Sequence, residues 1–127
     1  METPNSGLFD ADTLGLFDRE IEVDIETSAP GQPPHRATIW IVVADGVPLI
    51  RSWLGERGRW YREIRVEPLA AIHAAGRRIP VVAVPVDDAD IIAACSRALS
   101  AKYPDDPATP RMVDREREGT TLRLVPA

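Results

Sequence analysis

The sequence is short of the residues that crosslink a protein, anchor it or direct its export. Its 127 residues include one cysteine, Cys95, so no internal disulfide can form, which is typical of a reducing compartment. No apolar run approaches the roughly 20 residues that a membrane-spanning helix needs. The opening stretch lacks the basic start and apolar run of a signal peptide. These absences predict a cytoplasmic protein with no membrane partner.

The groups that most often carry catalysis or bind metal are also scarce. The 2 histidines, His35 and His73, lie far apart, without the spacing of zinc ligands. The chain holds no phosphate-binding loop, no glycine-rich dinucleotide motif and no nucleophile elbow. We predict that His35 is solvated in a proline-rich loop, that His73 is packed among alanines, and that Cys95 belongs to the core. No metal site is expected.

Acidic residues are in modest excess over basic ones. The 20 acidic and 15 basic residues give a net charge of -5, which argues against a general binder of nucleic acid or membrane surfaces. Lys102 is the single lysine, so the number of arginines says little about function by itself. The acids that alternate along residues 20–26 are interpreted as a solvated strand face.

Hydrophobic patterning predicts a mainly β (α+β) chain that forms one domain over residues 1–127. The dipeptide Asp45-Gly46 is a strong hairpin signal. Two prolines in residues 79–86 predict that this strand lies at a sheet edge or carries a bulge. The predicted strands are residues 20–26, 36–44, 47–54, 69–76, 79–86 and 120–126. Residues 69–76 also fit a helix by propensity, but their length and Gly76 favour a strand. Because hairpins dominate and no βαβ unit repeats, we expect an antiparallel barrel of six strands.

The helical part of the pattern is small. Residues 87–103 form the best helix, which begins at an aspartate cap and carries one apolar face. A short N-terminal helix is predicted over residues 8–18, and a helical turn near Trp60. The barrel is therefore expected to have one flanking helix besides the short N-terminal one.

The aromatic and cationic residues are concentrated in residues 51–63, "RSWLGERGRWYRE". This segment holds two of the 3 tryptophans, one of the 2 tyrosines and four arginines. Arg51 offers a planar fork for phosphate or carboxylate, and the Ser52 hydroxyl with nearby backbone N–H groups can add to such a site. Trp60 and Tyr61 can wall a flat ring system. Strand alternation puts Ser52 on the face opposite Arg51. These are the parts of a site for a planar, anionic cofactor. The competing interpretation is that the tryptophans are core residues and the arginines surface residues.

The order of the motifs adds a resemblance. The stretches "RATIWIVVADG", "LIRSWLGERGRWYRE", "AKYP" and "TLRLVP" resemble, in sequence and spacing, the bacterial family numbered 2255 among domains of unknown function. The resemblance covers residues 8–126. Its specific part is the series Thr-Ile-Trp, Arg-Ser-x-x-Gly, Trp-Tyr-Arg and Lys-Tyr in this order.

That family is similar to the flavin-binding split-barrel group, which includes deazaflavin-dependent nitroreductases and pyridoxamine-phosphate-oxidase-like proteins. The resemblance implies a six-stranded, FMN-binding-like split barrel. It also implies a homodimer with a ligand groove near the subunit interface. The cofactor-binding residues that it implies, with FMN or a deazaflavin coenzyme as the cofactor, are Arg36, Arg51, Ser52, Trp60, Tyr61 and Lys102.

The chain departs from the pattern of these relatives at three places. The basic loop before the first arginine of the nitroreductases is replaced by "APGQPPHR", and their asparagine after Trp-Tyr is replaced by Arg62-Glu63. Leu49 stands where a tyrosine is frequent in the hairpin of the 2255 family. These departures leave room for a member that has no cofactor and keeps the groove.

Three hypotheses follow. The first is an oxidoreductase-like protein that binds FMN or a deazaflavin coenzyme and acts on a small organic molecule, with the hydride chemistry carried by the cofactor. The second is a cofactor-free binding protein, or an isomerase or cyclase, in which Arg36, Arg51 and Tyr61 hold an anion or polarise a carbonyl. The third is a structural homodimer with the aromatic segment at its interface.

Overall fold

The structure is a computed structural model that describes residues 8–127 of the chain. Its seven strands are β1 (Val23–Thr27), β2 (His35–Ile39), β3 (Val42–Ala44), β4 (Val47–Ile50), β5 (Leu69–Ala74), β6 (Arg77–Pro85) and β7 (Leu122–Pro126). Its five α-helices are α1 (Ala11–Arg19), α2 (Arg59–Val66), α3 (Ala89–Lys102), α4 (Thr109–Met112) and α5 (Arg115–Glu118), and Gly55–Arg57 forms a 3-10 turn. Within this range, no helix is long and apolar enough to cross a bilayer.

The strands form one antiparallel sheet in the order β2-β1-β5-β6-β7-β4-β3. Its two edge strands, β2 and β3, follow each other in the chain and are joined only by Trp40 and Ile41. Three residue steps span at most about 11 Å, whereas six gaps between strands at about 4.8 Å would hold the edges of a flat sheet roughly 29 Å apart. The sheet must therefore curl until its two edges come close at the β2–β3 corner, which makes a half-barrel.

This geometry corrects the predicted strand at residues 36–44. The segment is extended almost throughout, but β2 pairs with β1 while β3 pairs with β4, so it contributes two strands at opposite edges. The sheet consequently has seven strands rather than six. The antiparallel, mainly β architecture is confirmed.

The hairpin at Asp45-Gly46 is confirmed. Both residues have positive φ, 53° and 77°, as a type I′ turn requires. The strand that returns from it is shorter than the predicted residues 47–54, because β4 ends at Ile50. The Ser52 N–H then donates to Thr120 Oγ1, and Gly55 turns the chain with a φ of 67°.

The prediction that residues 79–86 lie at an edge or carry a bulge is wrong. The strand is β6, which lies between β5 and β7 and keeps a continuous register with both. Its prolines are tolerated because Pro80 faces the β7 side just beyond the β6–β7 ladder, and Pro85 faces the β5 side beyond the β5–β6 ladder. The missing N–H groups therefore interrupt no hydrogen bond in the middle of the sheet.

The helices pack on the sheet with two apolar clusters. One lies around Phe17, Ile25, Ile72 and the aromatic pair Trp60-Tyr61. The other lies beneath α3. Cys95 belongs to the second cluster, as predicted, and burial raises the pKa of its thiol to about 11. The thiol is therefore protonated at neutral pH.

The helix predictions are partly confirmed. Helix α3 begins after Asp88, whose carboxylate accepts the N–H groups of Asp90 and Ile91. Helix α1 lies within one to three residues of its predicted bounds, and the turn near Trp60 is the two-turn helix α2. A single flanking helix was predicted, but the polar segment after α3 also folds into the four-residue helices α4 and α5. Helices this short carry no readable periodicity.

The acids of β1 are more than a solvated face. The Asp24 carboxylate accepts from Arg36 at 3.0 Å, and the Glu26 carboxylate accepts from Arg78 at 2.9 Å. His73 Nε2 lies 2.7 Å from Glu26 Oε1, so this histidine is packed and paired. Hydrogen bonds from Arg78 and then from His73 hold the pKa of Glu26 at about 2, below its usual 4.5.

This shift predicts a loss of stability in acid. A carboxyl whose pKa is lower in the folded than in the unfolded state stabilises the fold above pH 4.5 and loses that contribution as the pH falls towards 2. Because the Arg78 side chain is 55% exposed, we expect only about 1–2 kcal/mol from this group. Urea unfolding at pH 6 and pH 2.5 gives the drop in unfolding free energy caused by acid. This drop should be about 1–2 kcal/mol smaller in Glu26→Gln than in the wild-type protein, and unchanged in Glu56→Gln, an exposed control. An equal drop in the wild-type protein and both variants would show that Glu26 does not contribute to stability.

Candidate functional site

A cavity of about 300 Å³ opens where the β2–β3 corner meets the end of β4, the start of α2 and the segment around α4. All three tryptophans of the chain line it, and so does Arg51. Its full lining is Glu22, Thr38, Ile39, Trp40, Arg51, Trp53, Trp60, Asp106, Ala108 and Met112. We refer to it as the tryptophan cavity.

Arg51 lies at the buried end of this cavity, with 1% of its surface exposed. Its Nε donates to Thr121 Oγ1 at 2.9 Å, Nη1 to the Met112 carbonyl at 3.0 Å and Nη2 to the Ile92 carbonyl at 2.9 Å. All three acceptors are neutral, and among residues 8–127 no carboxylate comes within ion-pair distance of Arg51. A guanidinium has five N–H groups, so two remain for another acceptor. The site therefore contains a buried cation without a counter-ion.

The tryptophan rings are held by aromatic and cationic neighbours. Trp40 stacks on Tyr103 with centroids 3.8 Å apart and an interplanar angle of 6°. Trp53 lies under the Arg111 guanidinium at 4.3 Å, while Trp60 meets Tyr61 edge to face at 6.1 Å. Because these partners fix the ring planes, the cavity presents flat apolar walls that are already in place.

Ser52 does not line the tryptophan cavity, but it lines the smaller cavity that adjoins it. Strand alternation does not decide its direction, because β4 ends at Ile50. Its Oγ donates to the Gly55 carbonyl at 2.7 Å and closes the turn after β4. A Cβ on Gly58 would lie 2.6 Å from Ser52 Oγ, so Ser52 and Gly58 are packed against each other. Ser52 therefore fixes the turn that carries Trp53.

Tyr61 and Lys102 lie behind the cavity wall. Tyr61 is buried in the core, and its hydroxyl accepts from Arg65 at 2.8 Å. Lys102 Nζ donates to the Phe17 carbonyl at 3.0 Å and to the Ile41 carbonyl at 2.8 Å. Burial lowers the pKa of Lys102, while Asp18 and Glu20 oppose that shift. The lysine thus connects α1, α3 and the β2–β3 corner.

Arg36 lies apart from these residues. It is exposed on β2, paired with Asp24, and borders a separate depression of about 350 Å³ together with His73, Arg77 and Arg78. The structure therefore brings Arg51 and Trp60 together, places Ser52, Tyr61 and Lys102 around them, and leaves Arg36 outside.

A second cavity of about 280 Å³ adjoins the first and shares Thr38, Trp53 and Trp60 with it. His35 lines this second cavity. The prediction that His35 is a solvated loop residue is wrong, because it is the half-buried first residue of β2. Its Nδ1 lies 3.8 Å from Glu63 Oε1, too far for a hydrogen bond. The Thr27 hydroxyl is the main cause of the lowered pKa of Glu63.

Trp40, Trp53, Met112, Glu22 and Asp106 line the tryptophan cavity but were not proposed as site residues. Tryptophan is rare in this chain, and that rarity could have indicated Trp40 and Trp53 as site residues. The sequence could not predict that Asp106 and Met112 line the same cavity as Trp40, because their position depends on how the chain after α3 folds back. Among residues 8–127, no three potential metal ligands cluster.

The fold is similar to several solved structures. The conserved hypothetical protein Rv2991 from Mycobacterium tuberculosis matches with a TM-score of 0.63 and 14% identity, over 100% of this chain and 85% of that one. An F420-H2 dependent reductase, FDR-A, matches with a TM-score of 0.63 and 16% identity, over 85% of this chain and 95% of the other. A putative pyridoxamine 5'-phosphate oxidase from Listeria innocua matches with a TM-score of 0.59 and 14% identity, over 91% and 90%. At these identities the likeness shows the fold alone.

The family relationship is clearer than these distant structural matches. No match was found among curated proteins. Residues 13–124, most of the chain, match the family model described as "Uncharacterized protein conserved in bacteria (DUF2255)". The chain therefore belongs to the bacterial family DUF2255.

Proposed function

We propose that this protein binds a flat, anionic organic molecule in the tryptophan cavity, and that a flavin or deazaflavin coenzyme is the first candidate. The observation that carries the proposal is Arg51, a buried cation without a counter-ion in the wall of a cavity that all three tryptophans line. A buried charge is costly unless it is paired. A ligand anion would supply the missing partner.

The residues that line the tryptophan cavity suit the ring system of such a cofactor. The tryptophan cavity is at the lower end of the 300–1,000 Å³ that ligand pockets usually occupy. It therefore suits a ring system, and a longer molecule would extend past Trp53 and Trp60 into the adjoining cavity. Arg51 and Trp60 would touch the ligand, and Ser52 would touch the part of a longer molecule that enters the adjoining cavity. Tyr61 and Lys102 would hold the surrounding backbone. A bound flavin or deazaflavin would supply hydride transfer.

The similarity in fold to the F420-H2 dependent reductase supports this candidate. It makes an oxidoreductase-like role the first activity to examine. The homodimer stays a prediction. Trp53 and Leu54, 40% and 48% exposed beside the cavities, offer an apolar surface for a second copy of the chain.

A second candidate is a cofactor-free protein that binds a smaller molecule. Glu22 and Asp106 also line the tryptophan cavity, and their carboxylates would oppose a phosphate group there. Arg36, which was proposed to approach the cofactor, is paired with Asp24 elsewhere. Both observations favour a ligand of one or two rings with a single negative group.

Tryptophan fluorescence offers a direct test, because every tryptophan lines the cavity. We expect FMN, the deazaflavin coenzyme or a simple aromatic acid such as benzoate to change the emission, with affinities checked by calorimetry. Arg51→Lys keeps the charge but loses the fork, so binding should weaken about 10-fold or more. Trp53→Ala should also weaken binding while disturbing the fold less.

The control variants are Arg97→Lys, on the exposed side of α3, and Arg36→Lys. Neither should change the affinity. Binding that depends on Arg36 and not on Arg51 would move the site to the depression on β2. Binding of benzoate without either coenzyme would favour the cofactor-free candidate. If none of the three molecules binds at millimolar concentration, the proposal is wrong.

A further inference from the structure

The charges around the tryptophan cavity are separated by depth. Its one lining cation, Arg51, is buried, whereas its two lining carboxylates, Glu22 and Asp106, belong to exposed residues. Arg111 lies nearby, stacked on Trp53, but does not line the cavity. The cavity is therefore positive at its buried end and negative at its mouth.

The two carboxylates come from distant parts of the chain. Glu22 precedes β1, and Asp106 lies between α3 and α4. Asp106 is fixed in place because its Oδ1 accepts the Ala108 N–H at 2.8 Å. Burial is the main cause of the raised pKa of Tyr103, and Glu22 and Asp106 both add to it. Since Tyr103 stacks on Trp40, both acids lie near the same wall of the cavity.

Neither carboxylate is neutralised by the protein. Among residues 8–127, Glu22 and Asp106 form no ion pair, in contrast to Asp24 and Glu26 on the neighbouring strand. A ligand that carried only negative charge would be attracted by Arg51 and repelled by the carboxylates of Glu22 and Asp106. A ligand with opposite charges at its two ends would meet a complementary group at each end.

We propose that the tryptophan cavity selects a dipolar aromatic molecule, with a carboxylate or similar anion directed at Arg51 and a cationic nitrogen held at the mouth by Glu22 and Asp106. This inference rests on the proposed function in its second, cofactor-free form, since it names the ligand class of the same site and FMN and the deazaflavin coenzyme carry no cationic nitrogen. Three flat walls accept the ring, and the charged ends set its direction. The cavity volume of about 300 Å³ suits a molecule of one or two rings.

Three matched probes separate the contributions. Benzoate carries only the anion, benzylamine only the cation, and 4-(aminomethyl)benzoate carries both on the same ring. Exposed carboxylates act through solvent, so each contributes modestly. In a buffer of low ionic strength we expect the dipolar probe to bind roughly 3- to 10-fold more tightly than benzoate, as measured by tryptophan fluorescence and calorimetry. Added salt at 0.5 M should reduce this preference.

The double variant Glu22→Gln, Asp106→Asn should abolish the preference and strengthen the binding of benzoate. Asp105→Asn removes a neighbouring exposed carboxylate that does not line the cavity, and should leave the preference unchanged. If benzoate binds in an Arg51-dependent way and at least as tightly as the dipolar probe, this inference is overturned while the proposed function stands. Benzylamine binding as tightly as the dipolar probe would also overturn it. If none of the probes binds, this inference is overturned, while the proposed function still stands if FMN or the deazaflavin coenzyme binds.

Discussion

Replacing Arg51 with methionine should destabilise the protein by about 3–5 kcal/mol. The guanidinium joins β4 to Ile92 in α3, to Met112 in α4 and to Thr121 before β7. Each hydrogen bond from a charged donor contributes roughly 1.5–3 kcal/mol, and its loss leaves an acceptor without a partner. The total stays below the sum of the three bonds, because the variant no longer buries a cation without a counter-ion. Methionine matches much of the side chain's volume and spares the fold a large cavity. Urea unfolding followed by tryptophan fluorescence and circular dichroism measures the loss.

Two further variants show whether the hydrogen bonds are responsible. Arg51→Lys keeps the charge but cannot reach three separate acceptors, so it should lose a substantial part of the same stability. Arg97→Met, on the exposed side of α3, should change the free energy of unfolding by less than about 0.5 kcal/mol. A loss below about 1 kcal/mol in Arg51→Met would mean that the guanidinium does not hold these elements together.

Lys102→Met should have the next largest effect, a loss of about 2–4 kcal/mol. The ammonium donates to the carbonyls of Phe17 and Ile41, and both of those residues are fully buried. Two buried acceptors would lose their charged donor, at roughly 1–3 kcal/mol for each. Part of that loss is recovered because the variant no longer buries a charge, so the total stays below the sum.

Lys102→Arg is the informative comparison. It preserves the charge, but its planar fork does not fit the position of a compact ammonium between two carbonyls, so it should recover less than half of the lost stability. Because Lys102 borders the β2–β3 corner, the Met variant should also broaden the NMR resonances of Trp40. An unchanged free energy of unfolding in Lys102→Met would show that the two carbonyls find other partners.

The sequence predicted the features that depend on neighbouring residues. The hairpin turn depends only on two adjacent residues, Asp45 and Gly46, that tolerate positive φ. Helix α3 depends only on its aspartate cap and on apolar residues that recur every 3.6 positions. The strand at residues 36–44 was misassigned because a continuous apolar run carries no sign of where the strand changes partner. The change at Trp40 and Ile41 is set by the curl of the whole sheet.

The candidate site shows the same limit. Arg51 was identified from its residue type and its place in a motif, but its three acceptors lie 41 to 70 positions away in the chain. No pattern in residues 51–63 could distinguish a guanidinium held by backbone carbonyls from one free to bind a ligand. The tryptophans converge for a similar reason, since Trp40 reaches the cavity only through the corner that the sequence did not predict.

The place of β7 in the sheet has a consequence for how the chain is made. This strand lies between β6 and β4, and among residues 8–127 it is the one strand that pairs with both β2-β1-β5-β6 and β4-β3. During synthesis the ribosome makes all the other strands before β7. Until β7 is added, β4 and β6 lack the strand with which each of them pairs, and their unpaired edges are open to pairing with other chains.

One of those temporary edges is β6. The Pro80 carbonyl accepts the Ala127 N–H, so Pro80 turns the side without a donor towards the position of β7. Proline at that position offers no N–H to a foreign strand. Pro80, an unusual residue for a central strand, is thus suited to a chain in which β7 is not yet paired and β6 is still an edge.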